Sequence, residues 1–233
     1  MDAIGRLYSY FIYEESYVFD SAGNYIIILK KSKDTEHNED RPEVTHPLYA
    51  LYRANKLSVI LIFNKMNPNE TITHIEKINN NTVTLYRTEH IITTSNYDSS
   101  NKNTYGDGYY YFKSIERAYH HNLLENNILY SGTFIKWHDS GAQSEQRTIT
   151  AGRDTGTMLT WYPSGNIKSE TYLRNDLKKE HHIDWYESGI MNYQSISIID
   201  NGILCVKQNK WNYDGSICYE FEDRPGKHMW EYF

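Results

Sequence analysis

Two histidine pairs are the first candidates for chemistry: His120-His121, and His181-His182 within Glu180-His181-His182-Ile183-Asp184. Imidazoles beside carboxylates are a familiar metal-ligand set. The spacing does not serve one here. Neighbours on a strand point to opposite faces, so His181 and His182 converge on one ion only across a bulge. On a helix, neighbours stand about 100° apart, and the partners in reach of His120 and His121 are only Glu116 and Glu125. Both pairs read as solvated surface histidines, and no metal is expected.

The remaining candidates carry no better pattern. Cys205 and Cys218 flank the last hairpin, at positions that could face each other across strands, with no CxxC spacing and no adjacent His, which reads as packed cysteines. Gly106-x-Gly108 lacks the further glycine of a dinucleotide loop and opens no helix directly, so it reads as a turn. The serines of "SGTF" and "SSNK" sit in no G-x-S-x-G elbow. Glu14, Glu15, Asp184 and Glu187 have no spacing that couples an acid to a base. The expectation is a protein with no catalytic residues and no cofactor, and therefore not an enzyme.

Composition narrows the partners. The chain has 233 residues, a net charge of -6 and a pI near 5.9, with no basic run. Duplex DNA binding needs a Lys/Arg surface, so nucleic acid is disfavoured as a partner. There are 22 Tyr, 7 Phe and 5 Trp, residues that suit half-buried sheets with the ring packed and the polar end wet. The longest apolar runs, Tyr25–Leu29 and Val59–Phe63, fit strands and are far short of a bilayer span. "MDAIGRLYSYFIYEESYVF" has no signal-peptide core, being broken by Glu14-Glu15. With two cysteines there is no disulfide scaffold. A soluble intracellular protein is expected, and the sequons at Asn69 and Asn80 then carry no meaning.

The elements that would position a site are repeats. Trp137 opens "WHDSG", Trp161 "WYPSG", Trp185 "WYESG" and Trp211 "WNYDG", spaced 24, 24 and 26 residues apart. A fixed period in the twenties marks stacked modules that cannot bury an apolar face singly. Gly141, Gly165, Gly189 and Gly215 supply the positive φ of a tight turn. Gln143, Ile167, Met191 and Ile217 stand two after each glycine, and Ile135, Leu159, Ile183 and Asn209 two before each Trp. Second turns at Ala151–Gly156, Leu173–Lys179 and Ile199–Gly202 complete two strands per unit. The units should tile into one antiparallel sheet carrying a row of indoles, each burying about 150–250 Å².

The N-terminal half has no such period. Leu51–Ile78 reads as strand, turn and strand about Asn67-Pro68-Asn69. Gly106–Asn127 reads as a strand and then a helix capped by Ser114, with Ile115, Ala118, Tyr119 and Leu123 on one face. Tyr109-Tyr110-Tyr111 should pack beneath that helix. The charged stretch Lys31–Glu43 reads as a mobile loop. "FDSAGN" (Phe19–Asn24) echoes the hairpin turns without counting as a repeat. The fold class is mainly β with one or two short helices, divided as an N-terminal α+β domain over 1–129 and a repeat array with a C-terminal cap over 130–233. No linker is read at Leu129–Phe134.

The W-Y-x-S-G hairpins over Tyr130–Phe221 resemble the variant form of MORN repeats. Tyr52-Arg53-Ala54-Asn55-Lys56-Leu57-Ser58-Val59 and Gly108–Ala118 resemble the N-terminal part of a mimivirus-type paralogous family that precedes such arrays. Here Tyr109-Tyr110-Tyr111 replace the family's usual Ile-His-Tyr, and the cysteine often found before that glycine is missing. The resemblance implies a non-enzymatic interaction or scaffold protein of a giant DNA virus, in the host cytoplasm (virus factory) or the virion. Its partner would be a viral or host protein or a second copy of the chain. Tyr162, Tyr172, Tyr186 and Tyr193 are the candidate protein-binding residues. Some MORN proteins are linked to phospholipids, but Lys168, Arg174, Lys178 and Lys179 make only a modest cationic group, which disfavours a membrane. RNA stacking on the tyrosines is a further alternative.

Overall fold

The structure is a computed structural model that describes residues 2–79, 82–100, 103–173, 179–200, 203–224 and 227–231. Asn80, Asn81, Asn101, Lys102, Arg174, Lys178 and most of the two turns expected near 174–178 and 201–202 lie outside the described residues. The protein is mainly β with antiparallel sheets and four short helices, two more than the sequence suggests. Two compact units make it up: Met1–Asn127 with Trp137–Ala142, and Ile128–Lys136 with Gln143–Phe233.

The first unit opens with α1 (Asp2–Leu7) and α2 (Ser9–Tyr13). Its seven-stranded sheet contains β1 (Tyr17–Ala22), β2 (Tyr25–Lys30), β3 (Leu51–Ala54), β4 (Lys56–Asn64), β5 (Thr71–Ile72), β8 (Ile91–Thr93) and β9 (Tyr109–Phe112). The order is β3-β9-β1-β2-β4-β5, with β8 also on β4. β6 (His74–Asn79) and β7 (Thr82–Arg87) form a separate hairpin. Ile26, Ile27, Ile28 and Leu29 are all fully buried, so β2 is covered on both faces. At about 1.5–3 kcal/mol for each such side chain, this strand anchors the unit. One face holds Val18, Ile27, Leu29, Tyr52, Val59, Tyr86 and Tyr111. On the other, α3 (Ile115–His120) packs on β1, β2 and β9.

Ser114 caps α3, accepting from the N–H groups of Glu116 (3.1 Å) and Arg117 (3.4 Å). Ile115, Ala118 and Tyr119 are buried, as is Leu123. A left-handed Asn122 ends the helix early and starts α4 (Leu123–Asn126). Of the aromatic run, only Phe112 lies under the helix, with Arg117 4.7 Å over its ring; Tyr111 alternates to the opposite face. The Leu51–Asn64 stretch is two strands, because Asn55 breaks it and sends β3 to β9 and β4 to β2.

Lys31–Glu43 is not a solvated loop. Asn38 and Arg41 are 1% and 2% exposed. Asn38 exchanges bonds with the Arg53 backbone, and Arg41 reaches the carbonyls of Leu51 and Asp139. Charges lacking an apolar neighbour in sequence find their partners across the fold instead.

The second unit is a nine-stranded sheet in chain order: β10 (Gly132–Trp137), β11 (Gln143–Thr150), β12 (Arg153–Trp161), β13 (Ile167–Leu173), β14 (Lys179–Trp185), β15 (Met191–Asp200), β16 (Ile203–Trp211), β17 (Ile217–Arg224) and β18 (Lys227–Glu231). Within each hairpin the Trp pairs with the apolar residue two after the glycine: Trp161 with Ile167, Trp185 with Met191, Trp211 with Ile217. A bulge precedes each of these tryptophans, so the ladder is interrupted at the same place in these three repeats.

The four turns are near-identical. The residue after Trp donates to the carbonyl of the residue after Gly, from His138, Tyr162, Tyr186 and Asn212 to Ala142, Asn166, Ile190 and Ser216 at 2.8–2.9 Å. The glycines have φ of 93°, 90°, 87° and 84°. Their surroundings differ. Gly141 belongs to the first unit, where Ser140 and Asp139 carbonyls accept from Thr45, His46 and Leu51, and Trp137 stacks on Tyr49 at 5.0 Å. A β-carbon on Gly141 would fall on the His46 carbonyl oxygen, whereas one on Gly165 would meet nothing within 4 Å. Gly165→Ala should therefore cost only the positive-φ penalty, about 1–2 kcal/mol. Gly141→Ala should add overpacking of about 1–3 kcal/mol. Denaturant titration of the two variants checks the ordering.

Candidate interaction surface

Alternation assigns the sheet of the second unit two faces. One carries Trp161, Trp185 and Trp211 with Leu159, Glu170, Ile183, Gln194 and Asn209, which lie in line across β12 to β16. All three indoles are half-buried rather than enclosed. The other carries Thr160, Ser169, Asp184, Tyr193 and Lys210 in one row, and Thr171, His182, Ser195 and Gln208 in the next. Neither face is a closed core.

The four candidate tyrosines do not share a surface. Tyr162 and Tyr186 stand at the turns, half-buried, and each hydroxyl donates to the carbonyl of the next repeat's tryptophan: Tyr162 to Trp185 at 2.8 Å, Tyr186 to Trp211 at 2.9 Å. Asn166 adds a third inter-repeat bond, to the Glu187 carbonyl at 2.9 Å. Tyr172 projects from the tryptophan face and is 43% exposed. Tyr193 projects from the opposite one, its ring 6.0 Å from that of His182. The spacing of the sequence missed Tyr213. It is 72% exposed and stacks on Tyr186 with centroids 3.8 Å apart. In this last turn Asn212 takes the place after Trp, and the aromatic moves one residue on. The turn edge therefore presents Tyr186 and Tyr213 beside Glu187, Ser188 and Asp214, all three exposed.

His182 lies between two partners, Thr171 Oγ1 at 2.7 Å from Nδ1 and Asp184 Oδ2 at 3.0 Å from Nε2. This hydroxyl–imidazole–carboxylate chain has the composition of a nucleophilic relay. Thr171 is only 6% exposed and lies within a strand, so its hydroxyl is spent on the sheet rather than offered to a substrate. Cys205 pairs with Ile198, and Cys218 lies at the far end of the neighbouring strand beside the Trp211 bulge. Neither cysteine is in a disulfide; Cys205 is half-buried, while Cys218 is exposed rather than packed as expected.

The first unit collects buried charge. His120 and His121 are not solvated: His120 is 5% exposed, and His121 shares a bond of 3.0 Å with Ser21. Burial, aided by Lys65 for His120 and Lys77 for His121, pushes both imidazoles down to about 4. Lys65 is pushed down to about 7 by burial, with Asp20 opposing, and donates to the His121 carbonyl at 2.6 Å. Asp20 accepts from Lys77 (2.6 Å) and Tyr86 (2.9 Å). Burial would raise the Glu39 carboxyl, but bonds from Lys31, Tyr111 and Lys113 and the charge of Lys31 hold it at about 2. These groups are paired to one another inside the fold. Among the described residues, no group of three or more His, Cys, Asp or Glu side chains could hold a metal ion. No helix among them is long and apolar enough to cross a membrane. Neither a protein-family model nor a curated protein sequence matches the chain.

Two predictions follow from these contacts. Tyr162→Phe and Tyr186→Phe each remove one inter-repeat bond and should lower stability by about 1 kcal/mol, whereas Tyr172→Phe should be near neutral; thermal unfolding distinguishes them. The depressed histidines contribute stability that is complete above about pH 6.5 and is lost as pH falls toward 4. Glu39 extends the loss from about 4.5 toward 2. The urea midpoint should fall steadily below pH 6.5, and His121→Asn should flatten that slope.

Proposed function

We propose that the protein is a non-enzymatic interaction or scaffold protein that docks a protein partner on its repeat sheet. On the resemblance of its hairpins to variant MORN repeats, we place it with the mimivirus-type giant-virus family, acting in the virus factory or the virion. The observation that carries the reading is the tiling itself. Successive hairpins are tied side chain to backbone across repeats, which spends the sequence on breadth and leaves the turns of Gly165 and Gly189 open. Breadth suits contact with another extended surface, whereas catalysis needs a concave, desolvated pocket. Exposed Tyr172, with Lys207 and Glu222 exposed in its row of the tryptophan face, and exposed Tyr213 and Ile217 with Glu187 at the turn edge, supply the aromatic and charged side chains typical of protein interfaces.

A photo-crosslinking amino acid placed at Tyr213 or Tyr172 should give one discrete adduct in cells that make the protein, and none when placed at Asn103 in the first unit. Absence of any adduct from both repeat positions overturns the reading. So does co-flotation with anionic vesicles, or salt-sensitive retention of single-stranded RNA, either of which would assign the surface to lipid or RNA instead.

A further inference from the structure

The β6–β7 hairpin leaves one side of β7 unused. Among the described residues, β7 pairs with β6 and with no other strand, and no backbone bond leaves Val83, Thr84 or Leu85 on the side away from β6. A cavity of about 440 Å³ runs along that side. Thr82, Val83, Thr84 and Leu85 all line it. Consecutive strand residues point to opposite faces, so four in succession at one groove place the strand's edge, not a face, along its wall. That edge offers N–H and C=O groups at the spacing of a second strand, over roughly 13 Å for four residues.

Tyr109 and Tyr110 also line the groove, and their hydroxyls donate to the carbonyls of Thr93 and Gly106 at 2.8 Å. Rings held this way need no ordering when a ligand enters. Beside the groove, the outward face of the hairpin exposes Ile78 (72%), Val83 (58%) and Leu85 (45%), with Ile78 and Val83 directly paired. Edges this apolar are ordinarily blunted by Lys, Pro or a bulge, and β7 has none over Thr82–Leu85.

We propose that the β7 edge receives one extended segment of a partner protein, which adds to the hairpin as a third strand. The chemistry of the site sets that of the segment. Its backbone pairs with β7, alternate apolar side chains cover Val83 and Leu85, and a Lys or Arg meets Asp107, the one charged residue lining the groove among the described residues. A helix is about 10–12 Å across, and the cavity would take little more than one turn of it. Two copies of this chain are a poorer fit, because pairing β7 with β7 would drive the groove-lining Tyr109 and Tyr110 of each copy against the other hairpin. This site is independent of the repeat sheet.

The test uses the full chain and a fluorescein-labelled octapeptide, Lys-Val-Thr-Val-Lys-Val-Thr-Val, read by anisotropy. Saturable binding is expected, weakened about 10-fold or more by Val83→Asp, and about threefold by Asp107→Asn. Hydrogen exchange of β7 amides should slow when the peptide is bound. A peptide of the same sequence with backbone N-methyl groups on alternate residues keeps its side chains but loses strand donors, and should not bind. Equal binding of the methylated peptide would show simple apolar adsorption and overturn the proposal. So would no saturation up to about 1 mM, a ceiling that corresponds to about 4 kcal/mol, or a dimer of the chain that Val83→Asp disrupts.

Discussion

A five-residue turn that closes only when its fourth residue takes positive φ governs the C-terminal half of this protein. It fixes where each strand ends, places a tryptophan opposite an apolar residue, and sets a bulge just before that tryptophan. Because the turns recur with the same hydrogen bonds, the side chains of Tyr162 and Tyr186 arrive at the same point of the next repeat. The Tyr162 and Tyr186 bonds to tryptophan carbonyls follow from that geometry. A net worth of about 1 kcal/mol for each bond is small, but each is made where the two strands of a hairpin would otherwise leave a carbonyl to solvent.

The first unit solves the opposite problem. Its sheet is covered on both faces of β2, and the covering brings Asp20, Lys65, Lys77, Glu39, Arg41 and Arg53 inside. Buried charges are costly unless paired, and here each meets a counter-charge or a carbonyl: Glu39 takes Lys31, Lys113 and Tyr111, and Arg53 takes the carbonyls of Asp98, Asp107 and Ser100. The result is a unit whose stability is tied to proton uptake.

What could be read from the sequence was what local spacing encodes. Trp-to-Gly units marked the turns and put Leu159 and Ile183 on the face of the tryptophans that follow them, and Ser114 with its apolar face marked α3. What could not be read depends on contacts distant in sequence. His121 is drawn inward because Lys65 and a β1 serine meet it, His120 is buried beside Trp137 at 5.8 Å, and Lys31–Glu43 enters the core because Arg53 and Tyr111 meet it there. Tyr213 escaped notice because it stands one place off the repeat's own register, yet the stack on Tyr186 makes it part of the same edge.

The donor in each inter-repeat bond comes from the earlier hairpin and the acceptor from the later one. Such a link has a direction, and a gain or loss of one whole 24-residue module leaves it in phase. Evolution can thus lengthen or trim the sheet by duplication without reinventing a joint, and Asn212, too short to continue the chain of tyrosines, marks where this copy stops counting.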